Sequence, residues 1–239
     1  MNIKIIKCLK DNYSYLIIDE EKNIACVVDP SEASPIINYL DNNKIQLKFI
    51  LNTHHHYDHV GGNLELKRRY NAKIIGYSGD KERIPGIDIL LDDKETWINQ
   101  KFEAKIIYIP GHTLGHIAFY FYKEESIFTG DTLFSLGCGR IFEGTYSQMF
   151  NSLKKLKELP KNTKIYCGHE YTKKNSDFCL VHDANNQNLK AKIHNIDVKL
   201  KNSLPTIPST IKDELECNIF LRSSNVETFS KLRDLKDNF

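Results

Sequence analysis

The chain has 239 residues, of which 41% are hydrophobic and 27% are charged. This length and composition are typical of a globular protein that buries a large core, arranged as one domain with a smaller second one. The formal net charge is only +2, so we expect no nucleic-acid partner. No apolar run approaches the ~18 residues of a membrane-spanning helix, and we expect no membrane association.

The N-terminus and the cysteines indicate a compartment. Residues 1–19 alternate like a strand and lack the apolar core of a secretory signal. The six cysteines are scattered, with no CxxC pair, as is typical of reduced cysteines in the cytosol. We therefore expect a cytoplasmic protein. No motif fixes the oligomeric state, and a monomer is the working prediction.

Up to residue 170 the pattern predicts many short strands interrupted by helices. A helix over residues 35–40 is predicted from Ser34 as its N-cap and Pro35 in its first turn. Helices are also predicted over residues 63–70 and 147–158. The predicted strands span residues 3–6, 13–18, 25–28, 48–51, 73–77, 105–109, 117–122, 126–128 and 164–167.

After Tyr171 the sequence changes to helices and polar links. Residues 185–201 form a lysine-rich amphipathic helix, and Asn225 can cap a last helix. Each predicted helix has four apolar residues on one face: Leu189, Ile193, Ile196 and Leu200 in the first, and Val226, Phe229, Leu232 and Leu235 in the second. We therefore predict one domain over residues 1–170 and a helical domain over residues 171–239.

Residues 53–62 carry the strongest chemical signal in the chain. Immediately after the apolar run 49–51 they read Thr-His-His-His-Tyr-Asp-His-Val-Gly-Gly, which contains the pattern H-x-H-x-D-H. Imidazole and carboxylate together suit metals such as zinc, iron and manganese. The candidate ligands form two pairs that can face two neighbouring metals from one loop: His54 with His56, and Asp58 with His59. A surface polyhistidine run or an expression tag is the alternative, but a tag would lie at a terminus and would lack the aspartate.

Three further candidates follow strand-like runs and have glycine beside them. They are His112 in PGHTLGH, Asp131 in FTGDT and His169 in YCGHE. Such positions are typical of site residues on loops at one edge of a sheet. Each of the three alone would more often be structural, and it is their agreement with residues 53–62 that favours a metal site.

Together these motifs resemble the metallo-β-lactamase superfamily and, within it, the glyoxalase II (hydroxyacylglutathione hydrolase) family. The resemblance runs end to end. Its most specific parts are residues 53–62, GDTLFSLGCGRIFEGT at 130–145 and GHEYT at 168–172, supported by PTIPST at 205–210 and the terminal KDNF. It implies an α+β fold, the αββα metallo-β-lactamase sandwich, with a small C-terminal helical domain that binds substrate.

The resemblance also implies a binuclear thioester hydrolase that converts S-D-lactoylglutathione to D-lactate and glutathione, in methylglyoxal detoxification. Two divalent ions are implied, with zinc expected and iron or manganese as alternatives. One would be bound by His54, His56 and His112, the other by Asp58, His59 and His169, with Asp131 bridging them. Asp58 would also act in catalysis by orienting the metal-bound hydroxide. A thiolate leaves without a dedicated general acid, because the pKa of a thiol is about 8.5.

Five positions match family residues that contact glutathione. Arg140 stands where a lysine is common, and Phe142 stands where many relatives have tyrosine, so Phe142 lacks the hydroxyl that would make one of these contacts. Tyr171 matches directly. Arg233 and Lys236 match the two basic positions that bind the glycine carboxylate, and their spacing puts them on one helical face. Basic residues near a helix C-terminus also favour the helix dipole, which is the alternative explanation.

Other functions remain open at this point. A persulfide dioxygenase shares the fold but would use one iron and fewer ligands. A metal-dependent phosphodiesterase would call for an RNA-binding arm or a broad basic surface. A non-catalytic relative is disfavoured, because no ligand position is lost. Structural packing is expected for His55 and His116, and small buried side chains for Cys138 and Cys167.

Overall fold

The computed structural model describes the whole chain, residues 1–239. Its contacts divide into two compact units, the first made of residues 1–108 and 115–124 and the second of residues 109–114 and 125–239. The division into domains 1–170 and 171–239 follows from the change near Tyr171 from mostly strands to helices and polar links, and it stays a prediction.

The first unit contains nine strands and three α-helices. The strands are β1 (Asn2–Cys8), β2 (Asn12–Asp19), β3 (Ile24–Val28), β4 (Gln46–Leu51), β5 (Lys73–Tyr77), β6 (Ile89–Leu91), β7 (Thr96–Asn99), β8 (Phe102–Tyr108) and β9 (Ile117–Phe121). The helices are α1 (Ser34–Asn42), α2 (Tyr57–Val60) and α3 (Asn63–Tyr70). Short 3-10 turns follow β5 at Ser78–Asp80 and β9 at Tyr122–Glu124.

Strands β1 to β6 form one sheet in chain order. The first three are antiparallel neighbours, whereas β3, β4, β5 and β6 are parallel. Parallel neighbours need a crossover connection, which α1 supplies between β3 and β4 and α3 between β4 and β5. The apolar side of this sheet packs on α1 through Ile36 and Leu40, which are fully buried. Strands β7, β8 and β9 pair antiparallel.

The second unit contains five strands and five α-helices. The strands are β10 (Ser126–Gly130), β11 (Leu133–Phe134), β12 (Gly137–Cys138), β13 (Lys164–Cys167) and β14 (Ser209–Thr210). The helices are α4 (Tyr146–Lys157), α5 (Thr172–His182), α6 (Gln187–Lys201), α7 (Ile211–Cys217) and α8 (Val226–Asp237). Strand β10 runs parallel to β13, which pairs antiparallel with β14, and β11 with β12 forms a hairpin.

Most predicted elements are confirmed, and two details are wrong. Ser34 lies inside α1, whose N-cap is Ala33 and has no side-chain cap. The predicted apolar face of α8 also fails at its end, where Leu235 is 52% exposed and Arg233 is buried instead. The predicted cap of α8 is confirmed, because the Asn225 side chain accepts a hydrogen bond from the backbone N–H of Thr228. No helix combines the length and apolar character that crossing a membrane requires.

A buried polar network holds the β11–β12 hairpin to the helices that follow it. Leu136, at the turn of this hairpin, has a left-handed backbone with φ of 59°. Its N–H donates to Oε2 of Glu214, at 2.7 Å, and Asn218 donates to the same carboxyl oxygen, at 2.9 Å. The Asn175 amide and the Cys179 thiol donate to the carbonyl oxygens of Ser135 and Leu136. The backbone groups of a non-repetitive turn are therefore satisfied inside the protein.

Glu214 is fully buried, and burial raises the pKa of its carboxyl. The folded protein therefore holds a proton there that the unfolded chain releases above the ordinary pKa of 4.5. The free energy of unfolding should fall as the pH rises from 4.5 toward the raised folded pKa. The slope should reach about 1.4 kcal/mol per pH unit. Glu214→Gln has no proton to lose, so this part of the decline should be absent. Denaturant titrations of both proteins across this pH range test the prediction, and parallel declines would contradict it.

Candidate metal centre

The candidate ligands of the first unit lie on the loop that leaves the C-terminal end of β4, which includes the single helical turn α2. This loop passes directly beside the segment that follows β3. A Cβ atom on Gly61 would lie only 2.4 Å from the carbonyl oxygen of Ser31, and the N–H of Gly62 donates to the carbonyl of Pro30 at 2.8 Å. The two glycines therefore allow a close backbone approach that any side chain would block.

Asp29, the first residue after β3, orients two of the candidate ligands. Its Oδ1 accepts the Thr53 backbone N–H at 2.8 Å, and its Oδ2 accepts the Thr53 hydroxyl at 2.7 Å. The same Oδ2 lies 3.0 Å from Nδ1 of His59. Because a buried carboxylate accepts hydrogen bonds, Nδ1 of His59 carries the ring proton and Nε2 has the lone pair that binds a metal.

The same carboxylate sets the tautomer of His54 through Thr53. The hydroxyl of Thr53 gives its only proton to Asp29, so it acts as the acceptor toward Nδ1 of His54, which is 3.0 Å away. Nδ1 of His54 is therefore protonated, and Nε2 is again the ligand nitrogen. One ligand atom from each of Asp29, His54 and His59 lies within 4.8 Å of the others. We assign Asp29 to orientation rather than coordination, because its oxygens face N–H and O–H groups that would repel a cation.

His56 and Asp58 complete the set from this loop. The rings of His54 and His56 meet edge to face with centroids 4.8 Å apart. Oδ2 of Asp58 lies 3.7 Å from Nε2 of His59. Asn12 donates to that same oxygen at 3.0 Å and to the Asp58 carbonyl at 3.1 Å. Asn12 was not found from the sequence, and it fixes the direction in which the Asp58 carboxylate points.

The remaining histidines of the motifs have structural contacts in the first unit. Nδ1 of His55 lies 3.0 Å from Oδ2 of Asp80, which is fully buried and also accepts from Arg83. Burial alone would raise the pKa of Asp80, but the His55 and Arg83 hydrogen bonds hold it below its ordinary value. The His116 ring stacks on the His54 ring with centroids 4.6 Å apart. These contacts agree with the packing roles expected for His55 and His116.

The second unit carries the other three candidate ligands. Asp131 directly follows β10. His169 is separated by one residue from the end of β13, the parallel neighbour of β10. Oδ2 of Asp131 lies 3.3 Å from Nε2 of His169 and 3.6 Å from Nε2 of His112. Nδ1 of His112 faces the Arg140 carbonyl at 2.8 Å. A carbonyl only accepts, so Nδ1 is protonated and Nε2 again has the lone pair. Because this carboxylate oxygen lies between two ligand nitrogens, Asp131 is placed where it could bind two metal ions at once.

Glycine at position 139 keeps this arrangement compact. A Cβ atom there would lie 1.9 Å from the Asp131 carbonyl oxygen and 3.2 Å from Nδ1 of His112. The two neighbouring cysteines, Cys138 and Cys167, are buried, as expected, and neither belongs to a group of side chains that could hold a metal ion. Burial raises the pKa of Cys138, and it raises the pKa of Cys167 to about 12. The donor set is therefore buried imidazole and carboxylate, which fits a zinc-like divalent ion.

The predicted glutathione contacts all lie in the second unit, and their side chains differ in exposure to solvent. Arg140 and Phe142 are exposed, and the Phe142 ring meets the His112 ring edge to face at 5.2 Å. The Tyr171 ring stacks on the His169 ring with centroids 4.6 Å apart. Lys236 is half-buried over the rings of Phe178 and Phe239, and burial lowers the pKa of its ammonium.

Arg233 differs from these residues because its side chain is only 5% exposed. Its guanidinium donates to the Cys138 carbonyl at 2.7 Å and to Asp237 at 2.7 and 3.1 Å, and it lies over the Phe220 ring. In this structure Arg233 therefore links α8 to the end of the β11–β12 hairpin. The alternative considered from the sequence, a basic residue near a helix C-terminus that favours the helix dipole, is not needed to explain its burial.

Comparison with known proteins places the chain in a class. Residues 10–169 match the family model described as the metallo-beta-lactamase superfamily, and residues 170–239 match the hydroxyacylglutathione hydrolase C-terminus. Solved structures with the same fold include the BLEG-1 B3 metallo-beta-lactamase, at 21% identity and a TM-score of 0.73 over 93% of this chain and 100% of that one. Another is ETHE1 from Myxococcus xanthus, at 22% identity and a TM-score of 0.75 over 98% and 90%. The predicted fold class is confirmed.

Full-length relatives narrow the class. The hydroxyacylglutathione hydrolase of Pelagibacter ubique is 72% identical over all of both chains. That of Methylococcus capsulatus is 40% identical over 100% of this chain and 99% of the relative. The chain belongs to the hydroxyacylglutathione hydrolase family of the metallo-β-lactamase superfamily. The His/Asp clusters of this fold indicate a pair of divalent metal ions.

Asp29→Asn should weaken metal binding without removing any ligand. If the asparagine oxygen keeps the Thr53 N–H, its amide N–H₂ replaces the acceptor that now faces Thr53 and His59. His59 would then favour the tautomer with its proton on Nε2. The expected loss is about 10- to 100-fold in metal affinity, the usual effect of removing such an orienting partner. Competition with a chelator measures it. Asp88→Asn, which changes a carboxylate bound to Ile74 N–H and Lys67, serves as control. Equal affinities in the two variants would contradict the orienting role.

Proposed function

We propose that the chain hydrolyses glutathione thioesters and that its reaction converts S-D-lactoylglutathione to D-lactate and glutathione, a step of methylglyoxal detoxification. The observation that carries the proposal is the end-to-end identity of 72% with a hydroxyacylglutathione hydrolase. The match of residues 170–239 to the C-terminal region of that family supports it further. The class of substrate, a glutathione thioester, fits the names of these relatives.

Seven residues would hold two divalent ions. His54, His56 and His112 would bind one, Asp58, His59 and His169 the other, and Asp131 would bind both. The protonated Nδ1 atoms of His54, His59 and His112 support this assignment, because each leaves Nε2 as the ligand atom. Zinc is the proposed metal, with iron and manganese as alternatives for the same donors. When bound, such ions supply Lewis acidity, which activates water and polarises a thioester carbonyl.

The chain itself contributes orientation and charge. Asp58, held by Asn12, is the proposed catalytic residue, and its carboxylate can accept a hydrogen bond from the attacking water and fix its direction. No side chain has to protonate the leaving group, because a thiol with a pKa of about 8.5 can leave as its thiolate. Four residues are the proposed contacts of the glutathione part of the substrate or the supports of those contacts: Arg140, Tyr171, Arg233 and Lys236. Arg140 is exposed, Lys236 is half-buried and Arg233 is buried. Phe142 has no hydroxyl, so any contact it makes there is apolar.

The other functions have less support. A persulfide dioxygenase would need one iron and three of these ligands, whereas all seven family positions are filled. A phosphodiesterase is not supported by the net charge of +2. We further propose a cytoplasmic monomer. The six cysteines are all buried and free of disulfides, which agrees with a reducing compartment.

Asp131→Ala should lower the metal content and reduce kcat by about 100-fold or more, because one carboxylate serves both ions and supports their Lewis acidity. Elemental analysis and a thioester assay on purified protein measure both effects. Asp177→Ala, which removes an exposed partner of Lys173, is the matched control. An Asp131→Ala protein that retains two metals per chain and full turnover would contradict the bridging role.

Lys236→Ala should raise the KM for S-D-lactoylglutathione and largely spare kcat. A cation that binds the glycine carboxylate acts equally on bound substrate and transition state, because the charge of that group does not change. The expected rise is about tenfold, the lower end for a charge-assisted hydrogen bond, and it should weaken with added salt. Lys231→Ala, which removes another α8 lysine paired with Glu227, is the control. An unchanged KM for Lys236→Ala would exclude Lys236 from the substrate site.

A further inference from the structure

Asp237 lies between two guanidinium groups at the end of α8. Its Oδ1 accepts from Nε and Nη2 of Arg233, at 3.1 and 2.7 Å, and lies 3.3 Å from Nε of Arg140. The Asp237 carbonyl oxygen also accepts from Nη2 of Arg140, at 3.3 Å. One residue therefore joins Arg140, from the segment after β12, to Arg233 on the helix.

A carboxylate is unfavourable in the last turn of a helix, because the helix dipole places partial negative charge there. Asp237 is the last residue of α8. Two guanidinium groups offset this cost, and Nη2 of Arg140 also satisfies one of the carbonyl groups that a helix end leaves without an intrahelical partner. The position of Asp237 is thus explained by the cations around it and not by the helix itself.

Arg140 and Arg233 depend on Asp237 to different degrees. The Arg233 side chain is 5% exposed and has a second anchor at the Cys138 carbonyl. The Arg140 side chain is 59% exposed, and both polar contacts of its guanidinium are to Asp237. The Arg140 backbone is fixed independently, since its carbonyl accepts the Nδ1–H of His112. Asp237 therefore selects the direction of the Arg140 side chain and leaves its backbone unaffected.

We propose that Asp237 is a positioning residue that holds the Arg140 guanidinium beside Arg233, a predicted contact of the glycine carboxylate, so that Arg140 also faces that carboxylate of the substrate. This inference rests on the proposed function, in which Arg140 contacts glutathione. The position is specific to arginine, because separate nitrogens, Nε and Nη2, reach the carboxylate and the backbone carbonyl of Asp237 at once. A lysine has one nitrogen and no such fork. Arg140, where a lysine is common in the family, thereby gains an orientation that only a guanidinium can receive.

The test is a double-variant cycle measured by steady-state kinetics of the metal-loaded enzyme. Arg140→Ala should raise the KM for S-D-lactoylglutathione about tenfold, and Asp237→Ala about threefold, with kcat unchanged in both. If Asp237 acts through Arg140, the double variant should match Arg140→Ala, at about tenfold. Independent roles would multiply the effects to about thirtyfold and would overturn the proposal.

The matched control is Asp234→Ala. It removes another carboxylate from α8, one bound to the Tyr146 hydroxyl and not to Arg140. Its KM should equal that of the unaltered enzyme, and a rise equal to that of Asp237→Ala would show a general charge effect and overturn the proposal. A substrate analogue with the glycine carboxylate converted to a carboxamide adds a second readout. With that analogue Asp237→Ala should leave KM unchanged, whereas a threefold rise would contradict positioning toward the carboxylate.

The outcomes also separate this inference from the proposed function. A raised KM in Arg140→Ala with an unchanged KM in Asp237→Ala contradicts the positioning role alone. An unchanged KM in Arg140→Ala contradicts the Arg140 contact with glutathione, and with it this inference, whereas an unaltered enzyme that does not hydrolyse S-D-lactoylglutathione contradicts the proposed function itself. Should Asp237→Ala fold poorly by circular dichroism, Asp237→Asn gives the same comparison, because it removes the charge and retains an oxygen near Arg140. Its KM effect must then be absent in the Arg140→Ala background, or the proposal fails.

Discussion

The Asp29 carboxylate accepts three hydrogen bonds inside the first unit, from the Thr53 N–H, the Thr53 hydroxyl and His59 Nδ1. Through them it decides which nitrogen of His54 and of His59 carries a proton. Asp29 has a left-handed backbone with φ of 47°, a conformation that is uncommon outside glycine and is found at functional sites. A neutral imidazole alone could bind metal through either nitrogen. The buried acceptor leaves one choice, so Nε2 is the nitrogen that each of these rings offers to a metal.

Parallel strand pairs explain why each unit presents its polar residues together. Asp29 and the ligand loop follow β3 and β4, and Asp131 and His169 follow β10 and β13. The carboxyl ends of parallel neighbours open at one edge of a sheet, where loops are free to carry polar side chains. Glycine at positions 61 and 139 then permits backbone contacts of these loops that a Cβ atom would prevent. The arrangement of these loops therefore depends on glycine at both positions as well as on the ligand residues.

The C-terminal helices act on the segment between Asp131 and Arg140 through buried polar contacts. Glu214, in α7, and Asn218, the C-cap of that helix, form hydrogen bonds with the hairpin turn. Arg233, in α8, donates a hydrogen bond to the Cys138 carbonyl. Buried polar networks of this kind specify one arrangement, because breaking any member leaves a group unsatisfied. This accounts for the burial of Arg233, and it separates two roles among the basic residues: Arg233 supports the hairpin, whereas Arg140 and Lys236 remain accessible.

The sequence by itself determined the ligand motifs, most strands and helices, and the family. These features are local, because a ligand pattern spans a few residues and an element is set by periodicity and caps. Only the tertiary structure revealed Asn12, Asp29, Glu214 and Asp237, whose partners lie far along the chain or in a separate element. It also showed that Leu235, on the predicted apolar face of the last helix, is exposed and that Arg233 is buried. A polar side chain gains its role from the partner that folding brings to it, and periodicity carries no information about that partner.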